Sequence, residues 1–192
     1  MTTTQLFAEL VVIGIGAALW LSLCLAAVFG YRFCGGLRPL DAGSFLAFLG
    51  VAYVLGIVVD RLAYELMRPI EKANWSAAIV DNVGFFPEAL NVERYILVSS
   101  EALGKQVQYN RSRLRICRAW VLNSLLTLMA FVAWNLRLGV VRPMTCLLLV
   151  AMGVLICLLM GWATWAVSRD HYNNLRDSYV FLKGSNNKGQ AS

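Results

Sequence analysis

The densest positive charge in the chain lies in nine consecutive residues, Asn110-Arg111-Ser112-Arg113-Leu114-Arg115-Ile116-Cys117-Arg118. On a helix Arg111, Arg115 and Arg118 are separated by four and three residues and share a face. Guanidinium groups presented in this way take anions: the phosphate of a lipid head group, a nucleotide or an RNA backbone. A polybasic segment beside a membrane attracts anionic lipid at about 1 kcal/mol per charge. The same arginines also serve to keep a helix end on the inner side of a membrane. Arg111, Arg113, Arg115 and Arg118 are thus the candidate residues for binding anionic lipid or a protein partner. Direct nucleic-acid binding is disfavoured, because Glu88, Glu93 and Glu101 lie in the same region and no aromatic stacking series accompanies the arginines.

A second charged cluster follows an apolar run: Asp60-Arg61-Leu62-Ala63-Tyr64-Glu65-Leu66-Met67-Arg68. Arg61 and Glu65 are four apart and Glu65 and Arg68 three apart, so Asp60, Arg61, Glu65 and Arg68 are expected to form an ion-pair ladder, or a gate if several copies surround an axis. A third feature is uncharged. Asn123 and Thr127 lie on one face of an apolar run, where polar side chains make interhelical hydrogen bonds.

Catalytic chemistry has little to work with. His171 is the only histidine, which excludes paired-histidine zinc sites, and it is expected as an interfacial side chain. No nucleophile elbow, Walker loop or dinucleotide fingerprint is present. No catalytic residue, metal site or cofactor is therefore assigned, and the chain is expected not to be an enzyme.

The elements that position these residues are apolar. Of 192 residues, 59% are hydrophobic and 15% charged, against roughly a quarter charged in a soluble domain. A helix needs roughly 20 apolar residues to cross a bilayer. Four uncharged stretches qualify: Leu10 to Tyr31, Ala42 to Val59, Ala119 to Leu136 and Pro143 to Ser168. The first lacks a basic region before it and is long for a signal sequence, so it is expected as a retained helix. Trp120 and Trp134, and Trp162 and Trp165, lie near span ends, as interfacial aromatics do. The expected fold class is all-α: a polytopic membrane protein with four transmembrane helices and a long cytoplasmic helical extension of the third. The segments are 1–69, a first helix pair; 70–118, a cytoplasmic connector and stalk; 119–168, a second pair; and 169–192, a cytoplasmic tail with a disordered end.

Lys and Arg decide orientation. With Arg61 left inside the extended second helix, the segment between spans two and three and the tail after span four together hold twelve, among them Arg94, Lys105, Arg169 and Arg176. The opposite side holds four: Arg32, Arg38, Arg137 and Arg142. Both termini are therefore expected in the cytoplasm, with the protein in the cell inner membrane. Cys24, Cys117, Cys146 and Cys157 lie in or beside spans, and Cys34 alone is placed outside, so no disulfide is expected. The glycosylation acceptor patterns at Asn74 and Asn110 would then face the cytoplasm and stay unmodified.

Pro69 is expected to end the second helix, with residues 70–87 as a connector whose Ile79, Val80, Phe85 and Phe86 pack on something. Val92, Ile96, Leu103, Val107 and Leu114 then recur at helical spacing, with no proline from 88 to 142. One helix over 92–135 would extend roughly 65 Å, and its stripe needs a mate in the connector, the tail or another subunit. The tail continues span four through Tyr172, Leu175 and Tyr179, then passes into the Gly184–Gln190 composition that cannot form a core.

The order of spans and the basic inner loop resemble small four-span membrane components of bacterial antiphage and CRISPR-accessory systems. The resemblance implies a membrane effector or sensor working with a cytoplasmic nucleic-acid-binding or nuclease partner. Three functions are carried forward. The first is an oligomeric sensor or effector that perturbs or signals across the inner membrane, with the bilayer, anionic lipids, further copies of itself and a cytoplasmic protein as partners. The second is a non-catalytic anchor or accessory subunit. The third is a small channel or transporter, disfavoured because no ionisable residue lies deep in a span.

Overall fold

The computed structural model describes residues 3–30, 42–79, 89–139 and 142–189. Arg32, Cys34, Arg38, Val80, Gly84, Phe85, Phe86, Pro87 and Glu88 lie outside the described residues. Five helices occupy the rest: α1 (Thr3–Phe29), α2 (Ala42–Ile79), α3 (Ala89–Ser99), α4 (Glu101–Leu138) and α5 (Pro143–Gly189). The four other than α3 are long and apolar enough to cross a membrane.

The chain builds two packed regions. In the apolar bundle, α1 and α2 meet backbone to backbone. A Cβ on Gly14 would overlap the Ala52 carbonyl oxygen, and one on Gly56 would overlap that of Leu10. Glycine is required at both positions because only its absent side chain lets the two main chains approach so closely. Ile13, Ala17, Val59, Ala63 and Ala119 complete this core. Deeper along α4, Asn123 donates to the carbonyl of Ile13 at 2.9 Å and accepts from the Trp20 indole at 3.2 Å. These bonds satisfy an amide that is 1% exposed.

The polar cap is the second region. Its core is Val92 and Ile96 of α3, Val107 of α4 and Leu175 of α5, with Trp75, Tyr172 and Tyr179 packed around them. Here the expectation of one unbroken helix from 92 to 135 is overturned. The helix stops at Ser99 and restarts at Glu101, with Ser100 in extended conformation (φ −152°, ψ 119°). The Ser100 side chain accepts from the backbone N–H of Leu103, an N-cap that starts a new helix. The α3 helix then folds back along α4, so that Leu97 lies against Gly104 and Glu93 reaches Arg111. Folding back lets the apolar stripe bury itself: half of it covers the other half, and the tail covers both.

Two boundaries also move. The α2 helix continues through Pro69 to Ile79 rather than ending there. A proline removes one backbone hydrogen bond, and the buried contacts of Glu71, Asn74 and Ala78 hold the following turns in helix. The α5 helix is helical as far as Gly189, beyond the start of the stretch whose composition points to disorder. The α4 helix ends on Gly139 at φ 59°, a left-handed position that suits glycine, with its N–H on the Asn135 carbonyl at 2.9 Å.

Candidate functional site

The apolar stretches stop abruptly on charge, and the charges at these stops converge. Glu9 precedes the first stretch, Asp60 follows the second and Arg118 precedes the third. In the folded chain Arg118 contacts Asp60 at 3.1 Å and Glu71 at 3.4 Å. One turn away, Arg115 contacts Glu9 at 3.4 Å and Asp60 at 3.6 Å. Two arginines of α4 and three carboxylates of α1 and α2 thus form one network. Its arginine side chains are only 15% and 12% exposed. Tyr64 lies under Arg118, with its ring centroid 5.0 Å from the guanidinium carbon. Bundle and cap join here.

The network borders a cavity of about 420 Å³ between α2, α3, α4 and α5. Its walls include Glu93 and Arg111, paired with each other at 3.0 Å, and also His171 and Tyr172. Glu71, His171 and Tyr172 lie beyond the apolar stretches of their helices. Burial pushes the Glu71 carboxyl above the usual carboxylate range, opposed by Arg118 and by a hydrogen bond from Tyr172. Burial, assisted by the positive charge of Arg111, lowers the His171 imidazole to about 4, so it is neutral at pH 7. Burial and then the charge of Glu71 raise the Tyr172 phenol, which keeps its proton.

The four candidate arginines part company. Arg115 and Arg118 turn inward, and the anion each meets is a carboxylate of the same chain. Arg111 is half-exposed and paired with Glu93. Arg113 points outward over the Tyr109 ring at 5.7 Å. The α2 ladder also divides. Arg61, Glu65 and Arg68 form the expected series on the surface, at 2.9 and 3.7 Å. Asp60 leaves it for the interior.

Asn123 and Thr127 do not share partners. Thr127 lines an apolar groove of about 370 Å³ between α1, α4 and α5, whereas Asn123 is enclosed by α1. His171 is 6% exposed, enclosed in the junction. Asn74 is buried and donates to the Ser168 hydroxyl at 2.9 Å, so its acceptor pattern is occupied by packing.

Sequence reasoning missed Glu9 and Glu71. Glu9 carries a legible signal: an acid next to a long apolar stretch must find a cation or solvent. Glu71 carries none, because it lies past Pro69, where the helix was expected to end. Among the described residues no group of His, Cys, Asp or Glu is arranged to hold a metal ion. No protein-family model, curated protein or solved structure matches this chain. What the site can do is electrostatic: exchange ion-pair partners, or accept a charged guest in place of one.

Proposed function

We propose that the chain is an oligomeric, non-catalytic sensor or effector of the cell inner membrane, with both termini in the cytoplasm. In this reading the four long helices cross the bilayer and the cap faces the cytoplasm. The observation that carries it is the ion-pair network that ties α4 to α1 and α2 beside an open charged cavity. Such a network has alternative pairings available, and α4 links it continuously to the cap core through Val107. A shift of partners at the junction therefore moves cap and spans together. The Lys and Arg distribution supports the orientation, and the resemblance of layout supports a role of the antiphage type with a cytoplasmic partner.

The anchor reading rests on a different observation. The cap leaves Val98 89% and Phe181 69% exposed, apolar side chains that a cytoplasmic partner would cover. Purification of the full chain in mild detergent tests both readings through the native mass and the co-purifying proteins. A homo-oligomer is expected for the sensor or effector, and a one-to-one complex with a cytoplasmic protein for the anchor. A monodisperse monomer that captures nothing, in several detergents and in nanodiscs, defeats both. Cysteine labelling from outside intact cells checks orientation: a probe at position 36 should react, and probes at 80 and 105 should not.

A further inference from the structure

The junction cavity separates its charges by wall. Arg111, Arg115 and Arg118 stand on α4; Asp60 and Glu71 stand on α2 and Glu93 on α3. The remaining cation of the lining, Arg61, is turned to solvent and paired with Glu65. These groups pair along the cavity wall, Arg111 with Glu93, Arg118 with Asp60 and Glu71, and Arg115 with Asp60, around a space of about 420 Å³, a volume within the range of about 300–1,000 Å³ typical of small-molecule sites. A simple anion entering this space would lie beside three carboxylates, and a simple cation beside three arginines. Either would add a net buried charge. A guest bearing both signs adds none.

From this balance we infer that the cavity is a binding site for a zwitterionic phosphoamine, a phosphoryl group and an ammonium group a few ångströms apart. The phosphoryl oxygens take the arginine wall, exchanging with the carboxylates that now pair with Arg111 and Arg118. The ammonium takes Glu93 and Glu71, with Tyr172 and the neutral His171 closing the space without adding charge. The inference rests on the membrane topology proposed above. In that topology Asp60 and Arg118, at the ends of their apolar stretches, lie at head-group depth, so the same chemistry can come from a membrane phosphoethanolamine lipid or from a free phosphoamine.

The test uses the full-length protein, delipidated in mild detergent, with equilibrium binding of O-phosphoethanolamine, inorganic phosphate and ethylamine. Native mass spectra are then recorded after exchange into mixed phosphatidylethanolamine and phosphatidylglycerol. At least one phosphoethanolamine source is expected to bind, with a preference of tenfold or more over its single-charge counterpart: the free compound over phosphate and ethylamine, or phosphatidylethanolamine over phosphatidylglycerol. Retention of the lipid alone assigns the source to the bilayer, and binding of the free compound alone assigns it to the cytoplasm. The Glu93→Gln variant should narrow the preference for phosphoethanolamine over phosphate, and Arg111→Gln should weaken both about fivefold or more. Equal binding of phosphate and phosphoethanolamine together with equal retention of the two lipids, or no binding of any probe, overturns the inference. Neither self-association nor a protein partner enters these measurements, so their failure leaves the sensor reading intact, and a monomeric protein leaves this one intact.

Discussion

The bundle and the cap are cut from the same helices yet hold together by different means. In the bundle, Gly14 and Gly56 bring two main chains into contact, and Asn123 spends its amide on a neighbouring backbone. In the cap, Val92, Ile96, Val107 and Leu175 are buried among aromatic rings, the arrangement of a small soluble core. The bundle packs by close main-chain approach and hydrogen bonding, the means that would serve in the proposed topology, where apolar burial between helices gives little. The cap packs by withdrawing apolar surface from water. A helix such as α4 serves both regimes, and the ion-pair network marks where one gives way to the other.

Substitution of Gly14 breaks the comparison most severely. In Gly14→Leu the new side chain meets the Ala52 backbone, which cannot rotate aside. The effect exceeds the roughly 1–3 kcal/mol of ordinary overpacking, and separation of α1 from α2 is expected. Cross-linking between cysteines introduced on the two helices should be lost, while the same pair in the parent cross-links.

Next in size is Arg118→Gln, which leaves Asp60 and Glu71 without their shared cation. Removing one partner from a buried pair costs about 3–5 kcal/mol. Thermal unfolding in detergent should show a large drop, and the double variant Arg118→Gln with Asp60→Asn should recover part of it. No recovery would mean that the two residues are uncoupled.

The cap should fail separately. Ile96→Ala removes a fully buried side chain, at about 2–5 kcal/mol, and the loss should stay within α3 and its contacts. Hydrogen exchange is expected to rise over residues 89–111 and to remain unchanged over 10–20. A rise in both regions would erase the distinction between the two cores.

A smaller effect depends on pH. The His171 imidazole titrates at about 4 in the folded chain against 6.5 unfolded, so the unfolded chain binds the proton more readily. Its contribution to stability is complete above pH 6.5 and declines as pH falls toward 4. Glu71, shifted upward, acts in the opposite sense over the acid range. Comparison of the parent with His171→Asn isolates the histidine: the melting-temperature gap should shift in favour of the variant between pH 6.5 and 4. Arg61→Gln is expected to change stability least, by a few tenths of a kcal/mol, since Arg61 is 73% exposed and its pair is solvated. A loss comparable with that of Arg118→Gln would contradict the inward and outward division of the junction charges.

The four long helices were legible because an uncharged run of some twenty residues has few other uses. The break at Ser100 was not legible from periodicity, since Val92 to Leu114 fits one helix as well as two that fold together. Local hydrogen bonding at a serine decided between them. Pro69 misled in the opposite sense: a local preference was overridden by the tertiary contacts of Glu71 and Asn74. The arginines were visible, but their direction was not. Helical spacing places Arg111, Arg115 and Arg118 on one face without saying what that face meets: Glu9 lies 106 residues from Arg115, and Asp60 and Glu71 lie 58 and 47 residues from Arg118 in the chain.

The length of α5 has a mechanical consequence. Gly153, within the apolar stretch, and Tyr179, in the cap, are on one unbroken helix and about 39 Å apart at about 1.5 Å per residue. A rotation of about 5° at the level of Gly153 sweeps Tyr179 through about 3 Å by the same geometry, roughly the width of a side-chain contact. In a bilayer, helices answer a change in thickness by tilting. In the proposed membrane topology the rod would act as a lever, carrying a tilt of its apolar part to the α3 helix, which rests on its far arm through Leu175 and the Tyr95–Tyr179 ring contact.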